Sequence, residues 1–185
     1  MGEPSKPAEL RGARVVLAPL APEHLPELRR IRVLPEVEAR WGVEELTDRW
    51  PADAEPDATF FAILEGGVVA GMIQYGEETE PAYRHASIDL FLDPSFHNQG
   101  LGRDAVATLA RYLIEGRGHH RVTIDPAADN LPAIRCYAAV GFRPVGIMRN
   151  YERNADGAGW HDGLLMDLLP EDLTTSARGN AAAAS

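Results

Sequence analysis

The chain has 185 residues, 45% of them hydrophobic and 25% charged, which fits one globular domain with a sizeable core and no membrane span. Its 18 Lys and Arg against 28 Asp and Glu leave a net charge of −10 at pH 7, which argues against a nucleic-acid partner and agrees with a cationic one. The single cysteine, Cys136, excludes an intrachain disulfide and, with no apolar signal stretch at the start, sets the expectation of a reducing cytoplasm.

Residues 1–12 are rich in Pro, Glu, Lys and Gly and are expected to be flexible. Ala13–Leu17 reads as a strand. Leu25, Leu28, Ile31 and Leu34 recur at helical spacing in a segment from Pro22 to about Leu34, and Val43–Trp50 is predicted as a second short helix. The stretch "TFFAILEGGVVAGMIQYGEE" holds two apolar runs around Gly66-Gly67, a hairpin signal. "HASIDLFLD" is a further strand. A helix then runs from about Gly100 to Glu115, with Leu101, Ala105, Leu109 and Leu113 along one face. "HRVTID" is a strand. "LPAIRCYAAVG" is a helix with Asn130 as cap, Pro132 in its first turn and Gly141 closing it. "FRPVGIMRNYE" and "WHDGLLMDLL" complete the series as antiparallel strands, so 13–170 reads as one α/β domain followed by a flexible tail over 171–185.

The stretch "HNQGLGRDAV" puts bare backbone at a helix start, where consecutive N–H groups and the helix dipole favour an anion. Gly100-x-Gly102-x-x-Ala105 also satisfies the dinucleotide fingerprint, with Asp125 about 20 residues further on. Against that reading, a dinucleotide turn leaves its strand at the first glycine, whereas "DPSFHNQ" intervenes here. The remaining chain also lacks a second mononucleotide half. Arg103 in the first helical turn is unfavourable unless an anion sits there. The six histidines form no H-x-x-x-H pair and no Cys/His cluster, so no metal site is expected.

His97-Asn98-Gln99-Gly100-Leu101-Gly102 resembles the pyrophosphate loop Q/R-x-x-G-x-G/A of the GNAT superfamily of acetyl-CoA-dependent N-acetyltransferases, with His at the first position. Asn130, Ala133, Tyr137, Gly141 and Phe142 complete a second signature of that superfamily, N-x-x-A-x-x-x-Y-x-x-x-G-F. The resemblance implies a mixed, mostly antiparallel sheet splayed between its fourth and fifth strands, with flanking helices. It implies acetyl-CoA as donor, held by Phe91, Leu92, His97, Asn98, Gln99, Gly100, Leu101, Gly102, Arg103, Asn130, Ala133 and Tyr137. Tyr137 would protonate the departing thiolate, and backbone N–H groups near Leu92 would meet the thioester oxygen.

Within the superfamily, "TIDPAADNLPAIRCYAAVGF", "SIDLFL", "RWGVEEL" and "GMIQYG" are similar to segments of aminoglycoside 6′-N-acetyltransferases. That resemblance implies antibiotic resistance by direct transfer to an amino-sugar amine. Asp125 would act as base, and Asp89 would bind the ammonium groups or share that role. Trp41, Glu44, Glu45, Gln74 and Tyr75 would line the acceptor site, with the acidic runs "EELTDRWPADAEPD" and "EETE" approaching it. A tyrosine of that branch just before Met on the last strand is absent, since the chain reads Leu164-Leu165-Met166. The ending "GWHDGLLM" is similar to ribosomal-protein N-terminal acetyltransferases, so a protein N-terminus or a polyamine stays open as the acceptor, and both monomer and homodimer stay open as the assembly.

Overall fold

The structure is a computed structural model that describes residues 8–173. Its strands are β1 (Leu10–Arg11), β2 (Val15–Pro19), β3 (Thr59–Glu65), β4 (Val68–Glu78), β5 (His85–Leu92), β6 (Val122–Ile124), β7 (Arg143–Arg153) and β8 (Trp160–Leu168). They form one sheet in the order β1-β2-β3-β4-β5-β6-β8-β7. Four helices flank it: α1 (Leu25–Arg32), α2 (Pro35–Trp41), α3 (Leu101–Arg111), which runs on into a π-helical turn over Tyr112–Gly116, and α4 (Leu131–Val140). No helix among the described residues is long and apolar enough to cross a membrane.

The β3–β4 hairpin follows from its turn. Gly66 and Gly67 both have positive φ, 57° and 86°, which a tight hairpin turn requires and only glycine adopts without strain. Strand alternation then divides β4 between two cores. Ile73 and Tyr75 join the cluster that holds Leu101, Leu109 and Leu113 of the α3 segment, while Met72 joins Leu28 and Ile31 of α1, Val37 of α2, and Trp50.

The sheet opens between β5 and β6. These strands run parallel and pair only at Ala86–Val122 and Ser87–Thr123. Beyond Ser87, β5 continues to Leu92 with β4 on one side and β6 diverging on the other. With β1 added ahead of the anticipated first strand, these are the fourth and fifth strands of the sequence reading.

Three segments differ from expectation. The second helix is Pro35–Trp41, not Val43–Trp50. Pro35 starts it, Gly42 at φ 71° ends it, and buried Arg32 binds the carbonyls of Trp41 and Gly42, both at 3.0 Å. Within the supposedly flexible N-terminal stretch, Leu10–Arg11 pair with β2. There the Asp104 carboxylate of α3 accepts the N–H groups of Ala13, Arg14 and Val15 at 2.9, 2.7 and 2.9 Å. At the other end, Leu173 is buried and Arg143 pairs with Asp172, so ordered structure runs past residue 170. The rest of the anticipated tail, and residues 1–7, lie outside the described residues.

Candidate active site

The opening between β5 and β6 gives access to two adjoining spaces. One, a cleft of about 540 Å³, runs along the start of α3 and the exposed flank of α4. Gly100 caps α3 in a left-handed conformation, φ 82°, and a Cβ built on it would meet no protein atom within 4 Å. A side chain there would stand in the open cleft, where the first N–H groups of α3 are free of intrahelical partners. Of the residues that the family resemblance assigns to acetyl-CoA, Phe91, Leu92, His97, Asn98, Gly100, Leu101, Gly102, Arg103, Asn130, Ala133 and Tyr137 line this cleft. Gln99 does not. Its side chain turns back to the Ser95 carbonyl at 2.8 Å, and its own carbonyl takes Arg14 at 2.5 Å, so it braces the loop from behind.

The second space is a cavity of about 590 Å³ lined by Trp41, Glu44, Trp50, Glu55, Gln74, Asp89, Asp125, Tyr137, Tyr151 and Glu152, with Arg32 and Arg40 at its wall. Cleft and cavity share Arg40, Trp41, Leu90, Asn130 and Tyr137. Tyr137 therefore stands where the two meet. Trp41 is fixed at this junction by donating its indole N–H to the Leu90 carbonyl at 3.2 Å and by edge-on packing against Phe91 at 5.1 Å.

That bond also reports the direction of the β5 backbone. The Leu90 carbonyl is turned away from β4 and toward the opening. By strand alternation, the Leu92 N–H two residues on is turned the same way.

Charge in the cavity is negative. Glu44 is taken by Arg32 at 3.3 Å and by the Trp50 indole at 3.1 Å, and Arg40 is engaged by Asp129 at 2.7 Å. Glu55, Asp89 and Asp125 have no ion pair with Lys or Arg among the described residues. Asp89 is an exposed residue of β5, yet it stands among the cavity walls, which shield its carboxylate from bulk solvent on most sides. That desolvation, reinforced by the charges of Asp125, Glu55 and Glu152, outweighs the Leu90 N–H bond and pushes its pKa up to about 8. Desolvation also raises Asp125, against a lowering hydrogen bond from Tyr151. Tyr137 is buried and raised well above an ordinary phenol, first by desolvation and then by Asp89, so its hydroxyl keeps its proton. Cys136, half-buried beside the cleft, is pushed up to about 11 by burial.

Two of the residues expected at the acceptor site lie elsewhere. Tyr75 alternates with Gln74 and points to the opposite face, stacked on Phe61 at 6.4 Å. Glu45 is exposed and does not line the cavity. The run "EETE" is also remote, with Glu77 holding Arg117 and His119 on the far side. Tyr151, Glu152 and Arg32 line the cavity without any sequence mark. A register shift in β7 between Met148 and Glu152 breaks the alternation that would have assigned Tyr151 to a face.

A splayed sheet, a glycine-opened helix under the gap and a protonated tyrosine at the junction define an acyl-CoA-dependent transferase. Residues 25–142 match the model of the acetyltransferase (GNAT) family, and the chain belongs to that family. It is an N-acetyltransferase that uses acetyl-CoA.

Among curated proteins, it is similar to the N-alpha-acetyltransferase RimI of Mycobacterium tuberculosis, 28% identical over 127 residues, 64% of this chain and 75% of that protein. It is also similar to an aminoglycoside N(6′)-acetyltransferase type 1 of Klebsiella pneumoniae, 38% identical over 71 residues, which is 38% of this chain and 34% of that protein. Among solved structures, a putative acetyltransferase from T. thermophilus superimposes with a TM-score of 0.78 at 26% identity, covering 93% of this chain and 94% of that one. Mycobacterium smegmatis RimJ in complex with CoA-disulfide shares the fold, with a TM-score of 0.78 at 24% identity over 92% of this chain and 90% of that one.

Proposed function

We propose that the protein acetylates an amine of an amino-sugar antibiotic of the aminoglycoside type by direct transfer from acetyl-CoA, conferring resistance. The observation that carries this reading is the acidic cavity of about 590 Å³ that meets the cofactor cleft at Tyr137. Its size suits a small molecule. Its aromatic walls, Trp41 and Trp50, suit sugar rings, and its unpaired carboxylates suit ammonium groups.

Acetyl-CoA supplies the thioester carbonyl. Gly100, Gly102 and the first N–H groups of α3 hold the pyrophosphate, and Arg103 adds charge. Asp125 takes the proton from the acceptor ammonium, freeing the nitrogen lone pair, and Asp89 holds a neighbouring ammonium or shares the proton. As the carbon–nitrogen bond forms and the carbon–sulfur bond breaks, Tyr137 gives its proton to the departing sulfur, and the nitrogen sheds its second proton to restore the Tyr137 hydroxyl as the amide is completed. The Leu92 N–H stabilises charge on the carbonyl oxygen.

A second reading, acetylation of a protein N-terminus, is favoured by the longer match to the RimI relative. Thiol release from acetyl-CoA, measured with kanamycin, spermidine and short N-terminal peptides, separates the two. Turnover of kanamycin is the expected result. Turnover of a peptide with none of kanamycin rejects the amino-sugar reading.

A further inference from the structure

The β7 strand carries a device that the proposed chemistry leaves unexplained. Met148 pairs with Gly163 and Glu152 with His161, so β7 uses two more residues than β8 over this stretch and bulges outward. Asn150 sits in the bulge at φ 49°, a conformation that asparagine tolerates, and donates its N–H to the Asp162 carboxylate at 2.8 Å. The bulge lays the Tyr151 ring onto Gly163. A Cβ at Gly163 would stand only 2.8 Å from Tyr151 Cδ1, so the ring occupies the space of a missing side chain.

Residues 162–164 of β8 grip the chain that follows Asp125. Leu164 donates to the Pro126 carbonyl and Ala128 donates to the Asp162 carbonyl, both at 2.8 Å, and Ala127 bridges to Gly163. Asp125 and Tyr151 are thus anchored to one segment, 162–164, and both line the acceptor cavity, where each acts electrostatically on the other.

We propose that Tyr151 is the positioning residue for Asp125, holding its carboxylate in the acceptor cavity by a hydrogen bond from a ring seated on Gly163. The role rests on the reading of Asp125 as base. Donation to a carboxylate favours the ionised form, so this bond keeps the base available at lower pH.

The test is carbon-detected NMR titration of the Asp125 carboxyl in the coenzyme A-loaded protein, assigned by its loss in Asp125→Asn. In Tyr151→Phe the Asp125 midpoint moves to higher pH with the melting temperature held, because the exposed ring stays in place. Gly163→Ala, which displaces the ring and keeps the hydroxyl, moves it the same way. The acid limb of kcat/KM for kanamycin shifts upward in parallel. An unchanged midpoint in Tyr151→Phe overturns the proposal. Wild-type kcat/KM in Asp125→Asn, together with a shifted midpoint in Tyr151→Phe, rejects instead the role of Asp125 as base.

Discussion

Gln74 and Asp89 stand directly opposite each other across β4 and β5, both facing the acceptor cavity, and Gln74 donates its amide to Glu55 at 2.6 Å. Carboxylates thus flank a neutral amide on one face of the sheet. With its pKa pushed up to about 8 by burial and by the neighbouring acids, Asp89 holds a proton at pH 7 in the free protein. A cationic acceptor seated beside it reverses that balance and drives the proton off. Calorimetry of kanamycin binding at pH 7 in buffers of different ionisation enthalpy is expected to show net proton release that is reduced in Asp89→Asn. Equal release in the two proteins contradicts it.

The same carboxyl sets a pH dependence of stability. Its folded pKa lies above the unfolded value of about 4, so the folded state binds the proton more tightly between these values. Its contribution to stability therefore falls as pH rises from about 4 to about 8. Asp89→Asn removes the effect, and its melting temperature relative to wild type is expected to rise between pH 5 and pH 9. A constant difference across that range refutes it.

Tyr137→Phe keeps the buried ring and deletes only the donor hydroxyl. A roughly 10²-fold fall in kcat is expected, with an unchanged melting temperature and little change in the KM for acetyl-CoA. A folded variant with wild-type kcat removes Tyr137 from the chemistry.

With the pyrophosphate at the start of α3 as proposed, Gly102→Glu would set a carboxylate against it. A Cβ at this position would stand 3.3 Å from Leu92 Cδ1 and 3.8 Å from Cys136 Sγ, and all three residues line the cleft. Isothermal calorimetry is expected to show loss of acetyl-CoA binding in a protein whose circular dichroism spectrum is unchanged. Retained affinity moves the pyrophosphate elsewhere.

Cys136 lies beside the cleft, but its thiol is pushed up to about 11 by burial and is not a thiolate at pH 7. Direct transfer needs no acetylated cysteine. Cys136→Ala is expected to keep kcat within about threefold of wild type, and intact-mass spectrometry after incubation with acetyl-CoA alone is expected to show no added acetyl group. An acetylated Cys136 that then transfers to the acceptor overturns direct transfer.

Much of the architecture is written in local patterns. The Gly66-Gly67 turn, the glycines before α3 and the Asn130 cap each fix their own backbone, so their neighbourhood reads directly from the chain. The cleft along α3 and α4 is legible for the same reason, since most of its lining falls in two local runs, one around the start of α3 and one along α4. Gln99 faces away because a partner distant in sequence, Arg14, draws its carbonyl backward. The acceptor cavity is harder to read. Its walls come from α2, the 44–55 loop, β4, β5, β6, α4 and β7, and nothing local announces that they converge. Sequence adjacency sets Tyr75 beside Gln74, yet the strand sends neighbours to opposite faces. The 43–50 segment carries helical spacing, but Arg32 and the Gly42 stop give it a different fate. Tyr151 depends on a bulge whose cause, the bond from Asn150 to Asp162, spans two strands.

Cleft and cavity adjoin, and both are bordered by Arg40, Trp41, Leu90, Asn130 and Tyr137. One continuous ligand can therefore occupy both. On the proposed placement of the two substrates, a conjugate that joins the sulfur of coenzyme A through a short acyl tether to the amine of the acceptor is expected to reach from the α3 glycines to Asp89. Tethering turns the second binding event into an intramolecular one, and such a conjugate exceeds either half in affinity by orders of magnitude, about 10²-fold or more. The shared border is thus also the molecule's weak point: a single hybrid inhibitor, tuned by its amine half, would single this enzyme out from acetyltransferases whose acceptor chambers differ.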